Sequence, residues 1–145
     1  MFQTTAKYPA EMVKPMREEL TSTGVEELLS SEEVDNAILN NQGSTLLVIN
    51  SVCGCAAGNA RPAVKLALNN NILPDRITTV FAGVDHDAVA QARSYIQGYP
   101  PSSPSVALFK QGKLVHFIPR HQIEGRLPEE IAGDLIDAFN KYCSK

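Results

Sequence analysis

The chain has 145 residues, of which 43% are hydrophobic and 20% charged, which suits one globular domain with a real core. The net charge of −3 and the lack of a long basic run argue against a nucleic-acid surface. No apolar stretch approaches the roughly 20 residues of a membrane-spanning helix. Met1-Phe2-Gln3-Thr4-Thr5-Ala6-Lys7 has neither the basic region nor the apolar block of a secretory leader, so a cytoplasmic location is expected. The three cysteines, Cys53, Cys55 and Cys143, are too few and too odd in number for a secreted disulfide framework. In a reducing compartment, a close pair points instead to catalysis or metal binding.

Met12, Val13, Met16 and Leu20 have helical spacing, with Pro15 either in a first turn or at a kink. Val25 to Leu29 is too short to decide between a turn of helix and a brief extended piece. Ser30 followed by Glu32 and Glu33 reads as a cap and acidic first turn, opening a helix through Val34, Ile38 and Leu39 that stops near Gly43. Thr45 to Asn50 is continuously apolar with β-branched content, the pattern of a central strand covered on both faces. Cys53-Gly54-Cys55 follows at a turn, and then a helix runs to about Leu68. Pro62 should bend or restart that helix.

Arg76 to Val84 is the next strand. Asp85 reads as a cap for a helix over Ala88 to Ile96, and Tyr99-Pro100-Pro101-Ser102-Ser103-Pro104-Ser105 must be loop. Val106 to Phe109 and Leu114 to Ile118 make an antiparallel hairpin about Gln111-Gly112. Leu127-Pro128-Glu129-Glu130 opens a last helix, apolar at Ile131, Leu135, Ile136 and Phe139, that ends around Tyr142-Cys143. The order is an α/β one: a mixed sheet of about four strands flanked by helices, with an N-terminal helical extension. No linker or repeat divides residues 1–145.

The chemistry concentrates at Cys53-Gly54-Cys55. A strand delivers the turn, and the helix start behind it offers unpaired N–H groups and positive dipole charge, which stabilise a thiolate. Two other readings stand beside a nucleophilic Cys53. Both cysteines could be inert buried residues, or soft metal ligands completed by Cys143, His116 or His121. The usual zinc spacing is not met, and a metal site is not expected. Arg61 is either a helix-surface cation or a group that positions an anionic thiol, the surface cation being the simpler reading. Asp85, Asp87 and Glu124 read as caps and solvated faces. His86 at a helix start reads as solvated, and Cys143 near the end of an amphipathic helix as half-buried structure or a surface thiol.

A cysteine turn after the first long strand and a proline just before the third resemble the thioredoxin fold. The resemblance places Ser103-Pro104 opposite the cysteines as a cis-proline loop. One spacer stands between the cysteines where ordinary thioredoxins have two. Gly54, without a Cβ, eases the bend that a disulfide across it would impose. Such a disulfide is strained and oxidising, better suited to shuffling mixed disulfides than to strong reduction.

Ser51 to Gly58, Arg61-Pro62, Phe81-Ala82-Gly83, Pro101 to Ser105, and His116 to His121 with Ile123-Glu124-Gly125 are similar to the bacilliredoxin family, as is Pro15 to Thr21. The resemblance spans nearly the whole chain. It implies a thiol–disulfide oxidoreductase that removes bacillithiol, a low-molecular-weight thiol, from mixed disulfides on client proteins. Cys53 would attack, Cys55 would resolve, and Gly54, Ser103 and Pro104 would meet the substrate. No cofactor beyond the small thiol is implied. The alternatives are a weak disulfide isomerase or reductase, and a metal-binding or redox-sensing adaptor that uses the same cysteines.

Overall fold

The computed structural model describes residues 7–143. Helix α1 (Ala10–Thr21), strand β1 (Glu26–Glu27) and helix α2 (Ser31–Ile38) lead into strand β2 (Ser44–Asn50). A π-helical turn (Ala56–Ala60) and α3 (Arg61–Ala67) follow, then β3 (Arg76–Phe81) and α4 (His86–Ser94). The hairpin β4 (Ser105–Lys110) and β5 (Lys113–Ile118), a short 3-10 turn (Arg120–Gln122) and α5 (Pro128–Tyr142) complete the chain. Among the described residues, no helix is long and apolar enough to cross a membrane.

The sheet has five strands in the order β1-β3-β2-β4-β5, one more than the sequence suggested. The extra strand is Glu26–Glu27, paired parallel to Thr78 and Thr79. Two acidic residues carry no strand pattern, and main-chain bonds hold them, including Leu28 N–H to the Thr79 carbonyl at 2.9 Å. β2 runs parallel to β3 and antiparallel to β4, and β5 closes the far edge antiparallel to β4.

All seven residues of β2 are buried, because side chains alternate between two filled faces. Leu46 and Val48 meet Val64 of α3 and Leu135 and Phe139 of α5. Leu47 and Ile49 meet Val34 and Ile38 of α2 and Val89 of α4. The β2–β4 register sets Ile49 opposite Ser105, which places the residue after Pro104 at the strand end that carries the cysteines.

Helix starts follow local chemistry in part. Ser30 Oγ caps α2 by accepting the Glu33 N–H at 3.1 Å, and Glu33 Oε1 accepts the N–H of Leu29, the residue before the cap, at 2.6 Å. Pro15 lies inside α1 rather than in its first turn. Pro62 restarts the helix after the cysteines, as its missing N–H requires, and the π turn occupies the preceding five residues. Asp85 does not cap α4. Its carboxylate instead accepts two hydrogen bonds from Arg17, at 2.8 and 3.1 Å, while that guanidinium lies 5.2 Å from the centre of the Phe81 ring.

Candidate active site

Asn50 ends β2, Ser51 after it is still buried, and the chain then turns through Val52 and Cys53 into a helical start at Gly54 and Cys55. Cys53 occupies the cap position. Its carbonyl accepts the N–H groups of Ala56 and Ala57 at 2.9 and 3.3 Å, and its own N–H donates to Ser51 Oγ at 3.2 Å. All three cysteines are free thiols in this structure. The Cys55 N–H donates to Cys53 Sγ at 3.4 Å, so one of the orphan donors of the helix start is aimed at that sulfur.

The two thiols are pushed in opposite directions. Burial raises the Cys53 thiol, but hydrogen bonds from Cys55 and Ala56 and the charge of Arg120 outweigh it and hold the thiol below the ordinary range. Burial raises the Cys55 thiol, and its hydrogen bond to Cys53, the Cys53 charge and Glu124 push it further up. Cys53 faces a cavity of about 380 Å³ shared with Lys7, Tyr8, Gly83, Ser103 and Arg120, and Cys55 packs against the α3–α5 side of the core.

The Ser103–Pro104 peptide bond is cis. Ser105 Oγ donates to the Ser102 carbonyl at 3.0 Å, and the Arg120 N–H donates to Ser102 Oγ at 3.3 Å, so the loop is tied down on both sides of Pro104. Arg120 also joins the loop to the cysteines. Its Nη1 donates to the Ser103 carbonyl at 3.4 Å, and its Nη2 lies 4.0 Å from Cys55 Sγ. Nε is held by Glu124 at 2.6 Å, so Glu124 is a partner in the site and not only a solvated charge.

Sequence reasoning assigned no role to Arg120. An arginine four residues before a glutamate, directly after the strand paired with the proline loop, was the signal available. Lys7 and Tyr8 carried no signal at all. They reach the site because the Lys7 N–H donates to the Gly83 carbonyl at 2.7 Å and Tyr8 lies over Gly83.

Arg61 is neither a surface cation nor a contact for a small thiol. It is 2% exposed. Its Nη1 donates to Asn50 Oδ1 and to the Ser51 carbonyl, both at 2.9 Å, and its Nε to Glu19 at 2.9 Å. Asn50 Nδ2 in turn donates to the Met16 carbonyl at 3.2 Å. This polar network fixes the strand end beneath the cysteines.

Gly54 is exposed, with nothing within 4 Å of where a Cβ would sit. The dithiol state therefore has no steric demand for glycine there. His116 pairs with Asp134 at 3.0 Å, and His121 is exposed on the 3-10 turn. Cys143 lines a separate cavity of about 670 Å³ with Ser44, Asp75 and Lys110. That cavity lies at the opposite end of β2, about 20 Å away for a seven-residue strand. Among the described residues, no three His, Cys, Asp or Glu side chains gather as a metal-binding group.

The profile of the family described as disulphide isomerase matches residues 8–143. A bacilliredoxin of Halalkalibacterium halodurans is 52% identical over 136 residues, covering 94% of both chains. One of Salinibacter ruber is 55% identical over 138 residues, covering 94% of this chain and 81% of the other. The chain belongs to the bacilliredoxin family.

The solved structures agree on the architecture. A thioredoxin of Halobacterium salinarum superposes with a TM-score of 0.56 at 18% identity, covering 85% of this chain and 94% of that one. A putative oxidoreductase with a thioredoxin fold gives 0.58 at 18% identity, over 79% and 92%. This bacilliredoxin is thus a thioredoxin-like thiol–disulfide oxidoreductase.

Proposed function

We propose that this bacilliredoxin strips a small thiol, bacillithiol, from mixed disulfides on client proteins, with Cys53 as nucleophile and Cys55 as resolving thiol. The observation that carries the reading is the asymmetry of the pair. Cys53 Sγ accepts the Cys55 N–H at 3.4 Å and borders the open cavity, while Cys55 packs against the core.

The Cys53 thiolate attacks the small-thiol sulfur of the mixed disulfide. The client's sulfur leaves with the bonding electron pair and takes up a proton, and a Cys53–small thiol disulfide remains. Cys55, once deprotonated, then attacks Cys53 Sγ and expels the small thiol. The Cys53–Cys55 disulfide is returned to the dithiol by an external thiol reductant. A second small thiol can instead attack the Cys53 adduct directly, leaving a symmetrical small-thiol disulfide and free Cys53. In this reading the Ser103-Pro104 loop and Gly54 flank the path of the client chain.

Incubating the protein with a bacillithiolated client tests this. Cys53→Ser should leave the client modified. Cys55→Ser should release the client once and accumulate the small-thiol adduct on Cys53, read by intact mass. Client release by Cys53→Ser at the parental rate would refute the reading. The family's description as disulphide isomerase supports a second use of the same attack. When Cys53 opens a client disulfide instead of a small-thiol adduct, the outcome is disulfide shuffling.

A further inference from the structure

Arg93 is a cation that the fold does not neutralise. Arg17, Arg61, Arg76, Arg120 and Arg126 each meet a carboxylate within 3.6 Å. Arg93 meets none among the described residues, and its Nε is buried without a hydrogen-bond partner there. Burial pulls the guanidinium below its ordinary range, and no acid opposes the pull. Its place in the last turn of α4 favours positive charge but gives the buried N–H no acceptor. A buried donor left unmet is costly and calls for an occupant. Arg93 lines a small cavity of about 40 Å³ with Tyr99, Pro100, Pro101, Ser102 and Phe117. Tyr99, Pro100 and Pro101 are exposed, and the Tyr99 ring centre lies 4.6 Å from that of Phe117. This wall is the segment that runs into the cis Ser103–Pro104 bond. The next residue along it, Ser103, borders the Cys53 cavity instead, so consecutive residues of one loop serve both hollows.

We propose that Arg93 is a specificity residue for the client protein, receiving an aspartate or glutamate side chain that lies close in sequence to the client's modified cysteine. This rests on the reading that the proline loop flanks the client chain, and it adds what that chain should carry. The volume suits a side-chain terminus: one water takes a share of about 30 Å³ in the liquid, so the hollow admits a single carboxylate-sized group and excludes a whole small thiol. A water there would satisfy the N–H, whereas a carboxylate satisfies the N–H and the charge together. An extended client rises about 3.3 Å per residue, so a side chain within a few residues of the cysteine can follow the loop from one hollow to the other. Tyr99, Pro100 and Pro101 supply an exposed apolar rim for the stem of that side chain.

Short peptides with one central cysteine, held as the mixed disulfide with uncharged 2-mercaptoethanol, test the subsite. One Glu is moved along the peptide from three residues before the cysteine to three after it, with Gln or Lys in its place as controls. The readout is kcat/KM for release of the peptide thiol, taken as the Glu-to-Gln ratio within each enzyme variant, so that changes in Cys53 reactivity or in the folded fraction cancel. At one or two positions the parent should favour Glu over Gln by about fivefold and disfavour Lys. Arg93→Gln should bring that ratio to about one, and Arg93→Lys should keep part of it. A second arm puts the carboxylate on the other half, with 3-mercaptopropionate replacing 2-mercaptoethanol on the Gln peptide; Arg93→Gln should leave that ratio where it stands. A Glu-to-Gln ratio of about one at every position, a ratio that survives Arg93→Gln, or a loss confined to the 3-mercaptopropionate arm would overturn the subsite while leaving Cys53 as the nucleophile. Release of no peptide by the parent would overturn the client reading as well.

Discussion

The guanidinium of Arg120 lies 4.0 Å from the Sγ of Cys55 and at the same time donates to the carbonyl of Ser103 at 3.4 Å. One side chain therefore spans the gap between the cysteine turn and the cis-proline loop, and its charge lowers the Cys53 thiol. Removing it should raise the Cys53 thiol. The signs follow from the ionisation: a lowered thiol is reactive as thiolate above its own pKa and loses reactivity as pH falls through it. The iodoacetamide rate profile of Cys53 should turn on below the ordinary thiol range of about 8.5. In Arg120→Gln it should shift to higher pH and in Arg120→Lys much less.

Arg61 carries a buried charge whose partners come from α1 and from the end of β2. Arg61→Leu leaves the Asn50 side-chain oxygen and the Ser51 carbonyl without that donor, and Glu19 without its ion pair. The expected loss is about 3 kcal/mol of stability, read as a lower urea midpoint at unchanged m-value. Arg61→Lys should recover only part of it, since an ammonium cannot reproduce the two-sided fork.

Gly83 has φ +84°, and a Cβ there would stand 2.8 Å from Tyr8 Cε2. Gly83→Ala should cost about 1–2 kcal/mol from the left-handed backbone alone, and more if Tyr8 cannot move aside. Because Tyr8 and Lys7 wall the Cys53 cavity, the same variant should change adduct rates on Cys53 as well as the thermal midpoint. Gly54→Ala, with open space around it, should fold with little change in midpoint.

A disulfide formed between Cys53 and Cys55 would close over a single residue, which disfavours it relative to the dithiol found here. Its reduction potential should lie above the about −270 mV of a Cys-x-x-Cys thioredoxin. Equilibration with glutathione buffers, followed by thiol trapping, measures it.

What the sequence made legible was local. The β2 run, the hairpin at Gln111-Gly112 and the Ser30 cap each carry their signal within a few residues, whereas the cis state of the Ser103-Pro104 bond followed only from the resemblance of the whole element order. The positions that escaped depend on partners far along the chain. Arg61 reads as a surface cation until Glu19, 42 residues earlier, folds over it. Arg120 acquires a place in the site only when Cys55, 65 residues earlier, is brought beside it. Glu26 and Glu27 join the sheet by backbone bonds alone, which no side-chain pattern reports. Asp85 looked like a cap because of where it stands, and Arg17, 68 positions away, took its carboxylate instead.

The account turns on Cys53, not Cys55, being the attacking thiol. Limited alkylation of the reduced protein near pH 7, with each cysteine read by peptide mass spectrometry, tests this most directly. Cys53 should be modified several times faster than Cys55, with Cys143, raised by burial, also slow. Modification of Cys55 at the same rate as Cys53, or ahead of it, would contradict the account.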